Sequence, residues 1–154
     1  MASTQNDIKA NIEVTVESYL ATFVDAKAQN DPTIANRNTT TDCVRQMLPS
    51  TLGGGATMNN DDYEKVFAQG MEFAAMKTNT PSDVVVDVDG RKAAVTAVAE
   101  LETSGGQKFS LDFAWFLHLN EDGTKIKKIV EFVDSDSFKS MQQQAPKLEV
   151  DEAK

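Results

Sequence analysis

The chain is poor in the residues that most often announce a chemistry. It has one cysteine, Cys43, and one histidine, His118, far apart in the sequence. That excludes an internal disulfide and leaves too few soft ligands for a zinc or iron centre. No Gly-x-Gly-x-x-Gly run or phosphate loop is present, and the three glycines of TLGGGATMNN, residues 51–60, fall in a loop after Pro49. The carboxylates are scattered through turns and make no calcium loop. No stretch of about 18 apolar residues exists to span a bilayer. The N-terminal MASTQNDIKANIE lacks the apolar run of a signal peptide or anchor. Basic residues are the minority, 15 against 24 acidic for a net charge of −9, which argues against nucleic acid and anionic membrane as partners. The expectation is a cytoplasmic protein that works without metal or cofactor.

What is present is an ordinary globular composition, 40% apolar over 154 residues, enough for one domain with a real core. Residues 1–10 are polar and residues 143–154 make a charged, acidic tail. Both ends are expected to be loose, leaving 11–142 as a single domain. Val16, Tyr19, Leu20, Phe23 and Val24 recur with the helical period, so residues 12–29 predict an amphipathic helix stopped at Asn30-Asp31-Pro32. A short helix is expected at 34–38, and CVRQMLP, 43–49, reads as extended. Asp61 and Glu64 resemble a capping box for a second helix, with Tyr63, Val66, Phe67, Gly70, Met71 and Ala74 along one side. Gly70 there predicts a close approach.

From about residue 77 the period falls to two. Asp89-Gly90, Gly105-Gly106 and Asp122-Gly123 separate four strand-like runs, 82–88, 92–103, 107–120 and 125–134. A last helix is expected near Ser135, with Asp136 and Ser137 placed to cap it. Helices first and an antiparallel meander after make an α+β, cone-shaped half-barrel, its sheet covered by the N-terminal helices.

A two-residue turn at Asp122-Gly123 sets Leu119 opposite Ile126 and Trp115 opposite Val130. Leu111, Phe113, Trp115, Leu117, Leu119, Val130, Phe132 and Asp134 then share the inner face. The outer face carries His118, Phe116, Ile129, Glu131 and Val133, and is apolar enough to predict a homodimer contact. For the middle strand, a two-residue turn at Gly105-Gly106 brings Glu100 beside Leu111. A three-residue turn lines the interior with Ala97, Ala99 and Leu101, the better apolar row.

The helix SYLATF, the hairpin FAWFLHLNEDGTKI and the closing VEFVDS resemble the cone-shaped superfamily of nuclear transport factor two, ketosteroid isomerase, scytalone dehydratase and the SnoaL-type polyketide cyclases. DCVRQMLPSTLG, NNDDYEKVF and EFVDS are most similar to small fungal SnoaL-like proteins. The resemblance implies a cofactor-independent isomerase or cyclase for a hydrophobic polyketide or terpenoid carbonyl compound, or a non-catalytic ligand-binding module of the same fold. It aligns Asp134 with the cyclases' acid/base aspartate, while Phe132 stands where they have histidine. Tyr19 matches the isomerase's oxyanion tyrosine. Near residues 47–48, where that enzyme keeps its base, no carboxylate is found.

Each candidate has a plainer alternative. Asp134, ending an apolar row, would have its pKa raised as a proton shuttle, or would cap the helix at Ser135. Tyr19 donates to an oxyanion or is a core tyrosine. Of Arg45 and Gln46, alternation admits one to the pocket; Arg45 would polarise a carbonyl or sit in a surface ion pair. Trp115, Phe113, Phe132 and Met47 are expected pocket walls. His118 faces away, and Cys43 is structural.

Overall fold

The computed structural model describes residues 2–53 and 55–144. The first helix, α1 (Gln5–Gln29), begins inside the segment expected to be loose. Thr4 explains the early start: its hydroxyl accepts from the Asp7 N–H at 3.1 Å, and the Asp7 carboxylate accepts from the Thr4 N–H at 3.0 Å. Ile8, Ile12, Val16, Tyr19, Leu20 and Phe23 form the buried stripe, and Asn30, at φ 51°, closes the helix in the left-handed conformation. A short 3-10 helix (Pro32–Asn36) leads to β1 (Thr39–Leu48) and β2 (Thr57–Asn59). Helix α2 (Asn60–Phe73) is capped by Asn59, which accepts from the Asp62 N–H, rather than by Asp61. Gly70 is exposed and a Cβ there would meet nothing within 4 Å, so the expected close approach does not exist. Four more strands follow, β3 (Ala74–Asp87), β4 (Lys92–Thr103), β5 (Lys108–Leu119) and β6 (Ile126–Val133), then α3 (Ser135–Gln143). Most of the expected C-terminal tail lies outside the described residues.

The six strands form one sheet in the order β2-β1-β6-β5-β4-β3, with β1 parallel to β6 and every other pair antiparallel. The meander is therefore extended at one side by two strands that precede it in the chain. The β4–β5 turn is the three-residue one: the Thr103 N–H donates to the Gln107 carbonyl, Ala99 pairs with Leu111, and Glu100 faces outward to Ser110. Edge strand β3 carries Pro81 at an irregularity of its ladder, where a missing N–H is tolerated.

The turn between β5 and β6 is seated on α1. The Thr15 hydroxyl donates to the Gly123 carbonyl at 2.9 Å, and Asn11 donates to the Asp122 carbonyl at 2.9 Å. Gly123 has φ +77°, and a Cβ on it would come within 2.7 Å of Ile12. Leu119 pairs with Ile126 as expected. The next pair, however, is His118 with Lys128, so Lys127 is an extra residue bulged out of the ladder. Beyond it Trp115 pairs with Glu131 and Phe113 with Val133. A one-residue slip exchanges the two faces of a strand. Ile129, Glu131 and Val133 therefore point under the helices, while Val130 and Phe132 point away.

Two apolar clusters fill the concave side. One gathers Ile12, Tyr19, Phe23, Val95, Trp115 and Ile129 beneath α1. The other gathers Leu111, Val133 and Met141 with Met47, Leu101 and Phe138 near α3. Phe113 packs against both.

Candidate active site

The slip in β6 replaces the expected carboxylate with another. Asp134 is the N-cap of α3 and accepts from the Ser137 N–H at 3.2 Å. Those hydrogen bonds hold its carboxyl below the usual aspartate value, the opposite of a poised proton shuttle. Phe132 is 48% exposed on the outer face and is no pocket wall. Gln46 lies opposite Val130 and donates to the Gly55 carbonyl at 3.0 Å, away from the cone. Met47 and Phe113 do lie on the concave side, both partly buried in the second cluster.

Glu131 takes the interior place. Its carboxylate accepts from the Trp115 indole N–H at 3.0 Å. Burial pushes its pKa up, against the pull of that hydrogen bond and of the Arg45 charge. Glu131 is half-buried and keeps part of its surface accessible. Trp115 is itself clamped: its ring stacks on Phe113 at 4.7 Å and on Phe23 at 5.7 Å, and meets Tyr19 edge-on at 6.0 Å. The indole donor is thereby aimed by rigid neighbours.

Arg45, inward on β1, is buried beside this pair. Its Nη2 donates to the Ala35 carbonyl at 2.8 Å and to Asn36 Oδ1 at 3.0 Å, and its Nη1 reaches the Tyr19 hydroxyl at 3.4 Å. The Tyr63 ring from α2 lies against the guanidinium, 3.7 Å from Cζ to the centroid. Burial disfavours the charge, but Tyr63, Tyr19, Cys43 and Glu131 outweigh it and the pKa lies above the ordinary arginine value. Burial also pushes the Tyr63 phenol up to about 12 and Tyr19 well above its usual value. Both hydroxyls stay protonated at neutral pH. The Cys43 thiol, pushed to about 11 by burial, is no nucleophile. Among the described residues no group of three or more His, Cys, Asp and Glu side chains gathers as a metal site.

Sequence reasoning thus named Tyr19, Arg45, Trp115, Phe113 and Met47, which the fold brings to the concave side, and missed Glu131 and Tyr63. A signal for Glu131 existed: an outer face holding Ile129 and Val133 is too apolar for solvent, and reversing the strand removes that anomaly.

No family model matches the chain. Two fungal proteins named as monooxygenases are related in sequence. NsrS of Aspergillus novofumigatus is 28% identical over 100 residues, 64% of this chain and 67% of that one. DmxR10 of a Cryptosporiopsis species is 27% identical over 126 residues, 81% of this chain and 83% of that one. Among solved structures, the BvnE pinacolase from Penicillium brevicompactum superposes with a TM-score of 0.72 at 24% identity, covering 88% of this chain and 96% of that one. A protein from Catenulispora acidiphila, described as having a ketosteroid isomerase-like fold, superposes at 0.62 and 15% identity, covering 83% and 93%. This chain has the ketosteroid-isomerase-like fold. In that fold's terms, Glu131 and Trp115 lie on adjacent strands of the concave sheet, Tyr19 on the long helix above them, and Arg45 and Tyr63 to one side.

Proposed function

We propose that the chain is an acid/base isomerase or cyclase for a hydrophobic carbonyl compound held in the cone, a polyketide- or terpenoid-type intermediate. Glu131 moves the proton, and Arg45 with the Tyr19 hydroxyl holds the oxygen on which negative charge develops. The observation that carries this reading is a half-buried carboxyl with a raised pKa beside a buried cation and two protonated phenols. A carboxyl whose charged form is disfavoured by burial takes and returns a proton more readily than an exposed one, and proton transfer of this kind asks for no further group. Trp115 fixes the carboxylate, and Phe113 and Met47 supply apolar wall. Likeness in fold to a pinacolase, and to a putative isomerase from Bacillus subtilis, supports a rearrangement over simple carriage. The test is exchange of the hydrogens next to the carbonyl of 2-tetralone in deuterated water, followed by NMR. Glu131→Gln is expected to slow it by roughly 100- to 10,000-fold, with Asp134→Asn at the wild-type rate. Equal exchange by wild type and Glu131→Gln would sink the acid/base role and leave a ligand-binding module.

The outer sheet face supports a homodimer. Phe116 and Phe132 are 46% and 48% exposed there, at the centre of the sheet. The register sets Lys92, His118 and Lys128 in one row across three strands, with Asp112 and Glu100 beyond the aromatic rows. A two-fold axis through the aromatic rows brings the basic row of one copy against the acidic end of the other. Sedimentation should give a dimer for the wild type and a monomer for Phe132→Glu; a wild-type monomer at any concentration removes the proposal.

A further inference from the structure

Arg45 is only 6% exposed, yet its charge has no carboxylate partner within ion-pair distance among the described residues. The three ion pairs found there, Lys9–Glu13, Arg37–Asp25 and Lys65–Asp62, all lie on the surface. A buried, unmatched cation is costly, and proteins retain few of them without a counter-charge. The Tyr63 ring offsets part of that cost through its π face, and the Ala35 carbonyl and Asn36 satisfy Nη2. The Nε–H remains buried with no partner. Nη1 carries two hydrogens, and only its long contact with Tyr19 is made. Because the Tyr19 oxygen is the acceptor in that contact, its own hydrogen is left to donate. The Nε–H, the second Nη1 hydrogen and the Tyr19 hydroxyl hydrogen thus have no acceptor among the described residues, while the Glu131 carboxylate is held by Trp115 instead.

We infer that this set is the seat of an acidic oxygen, so that the preferred ligand of the cone is a hydrophobic carbonyl compound that also carries an acid group (a carboxylate, or an enolate or phenolate of a conjugated skeleton). The inference rests on the reading of the cone as the substrate site and deepens it by naming the charge of the substrate. It has a second consequence. An anion bound to Arg45 cancels the charge that favours ionised Glu131 and adds a like charge beside it, so binding raises the affinity of Glu131 for a proton. Ligand association therefore shifts Glu131 towards its protonated form, with proton uptake from solvent at pH values between its free and its bound pKa.

Matched probes test this: 2-naphthoate, and its neutral methyl ester of nearly the same shape. Calorimetric titration of the full chain should show the acid binding at least ~10-fold tighter than the ester. Arg45→Met should erase the preference, and Arg45→Lys, which keeps the charge, should retain part of it. Comparing binding heats in phosphate and Tris across roughly pH 5 to 8 should reveal proton uptake that Glu131→Gln abolishes while keeping the acid preference. Equal affinity for acid and ester, no binding of naphthoate, or no proton uptake at any pH in that range would each overturn the inference. The failure of the catalytic reading looks different: there Glu131→Gln leaves carbon-bound hydrogen exchange intact while wild type still prefers the acid.

Discussion

Strands β5 and β6 lie side by side, bury one face and expose the other, but they reach that state by different routes. From Leu111 to Leu119, β5 alternates without interruption, with Leu111, Trp115, Leu117 and Leu119 fully buried and Phe116 exposed. Strand β6 spends Lys127 on a bulge: β5 steps one residue, Leu119 to His118, while β6 steps two, Ile126 to Lys128. Before the bulge Ile126 is buried, and after it Ile129 and Val133 are. A single extra residue thus decides which chemistry the cone contains. With Lys127 bulged, Glu131 faces Trp115. With Lys127 paired in the ladder, Val130 would take that place and Glu131 would point to solvent. Bulges are common beside functional sites because they re-aim a side chain without a new element.

Inserting one alanine between Lys127 and Lys128 breaks the comparison most severely. With a one-residue bulge kept, every later residue of β6 moves one place along the ladder, so Val130 and Phe132 turn inward and Ile129, Glu131 and Val133 are expelled. Expelling two fully buried side chains and overpacking a third site should cost on the order of 4 kcal/mol or more. Deleting Lys127 instead sets Lys128 directly after Ile126 and keeps every later pair, so that variant should retain the inward Glu131. Urea unfolding monitored by the fluorescence of the single tryptophan would read both. An insertion variant with wild-type stability would show that the ladder absorbs a second bulged residue and that the bulge does not set the facing of β6.

The contrast also explains what was legible in advance. The α+β cone, the helix around Tyr19, the inner face of β5 and the interior alanines of β4 follow from periods of 3.6 and 2, which the chain displays openly. Asp134 was misplaced because alternation was carried through position 127. Nothing local at Lys127-Lys128 marks a bulge: neither residue is a glycine, and both are content in water. The cause is tertiary. Asn11 and Thr15 of α1 hold the preceding turn, and Asn38 accepts from the Ile126 N–H, so the start of β6 is anchored before its pairing resumes. Tyr63 escaped notice for a related reason: its role depends on α2 packing near β1, which no spacing within the helix reveals. The parallel pairing of β1 with β6, which delivers Arg45 to the site, is equally non-local.

A milder change sharpens the comparison by cutting the one side-chain hydrogen bond joining the two strands in the cone. Trp115→Phe removes the donor to Glu131 and leaves a gap beside Phe23 and Phe113. A hydrogen bond to a charged group is worth roughly 1.5–3 kcal/mol, so stability should fall by about that much. The Glu131 pKa, already raised by burial, should rise further, because the indole N–H is the larger of the two influences that lower it. Carboxyl-carbon NMR titration of Glu131 in both proteins measures this directly. An unchanged pKa would mean that the indole contributes packing alone.

The smallest effect concerns the two carboxylates at the end of β6, which should give opposite pH signatures. Glu131 has its folded pKa raised by burial, so the folded state holds the proton more tightly than the unfolded chain. Its stabilising contribution is complete below the unfolded glutamate value, about 4.3, and is lost as pH rises through the folded value. Asp134 is lowered by its hydrogen bonds to Ser137. Its contribution is present above the unfolded aspartate value, about 3.9, and is lost as pH falls through the folded one. Thermal unfolding across pH separates them. Relative to wild type, Glu131→Gln should gain on the order of a few degrees between acid and neutral pH, and Asp134→Asn should lose its disadvantage only at the acid end. If the two variants instead showed the same slope, Glu131 would be as solvated as the helix cap, and the cone would hold no carboxyl poised to exchange a proton.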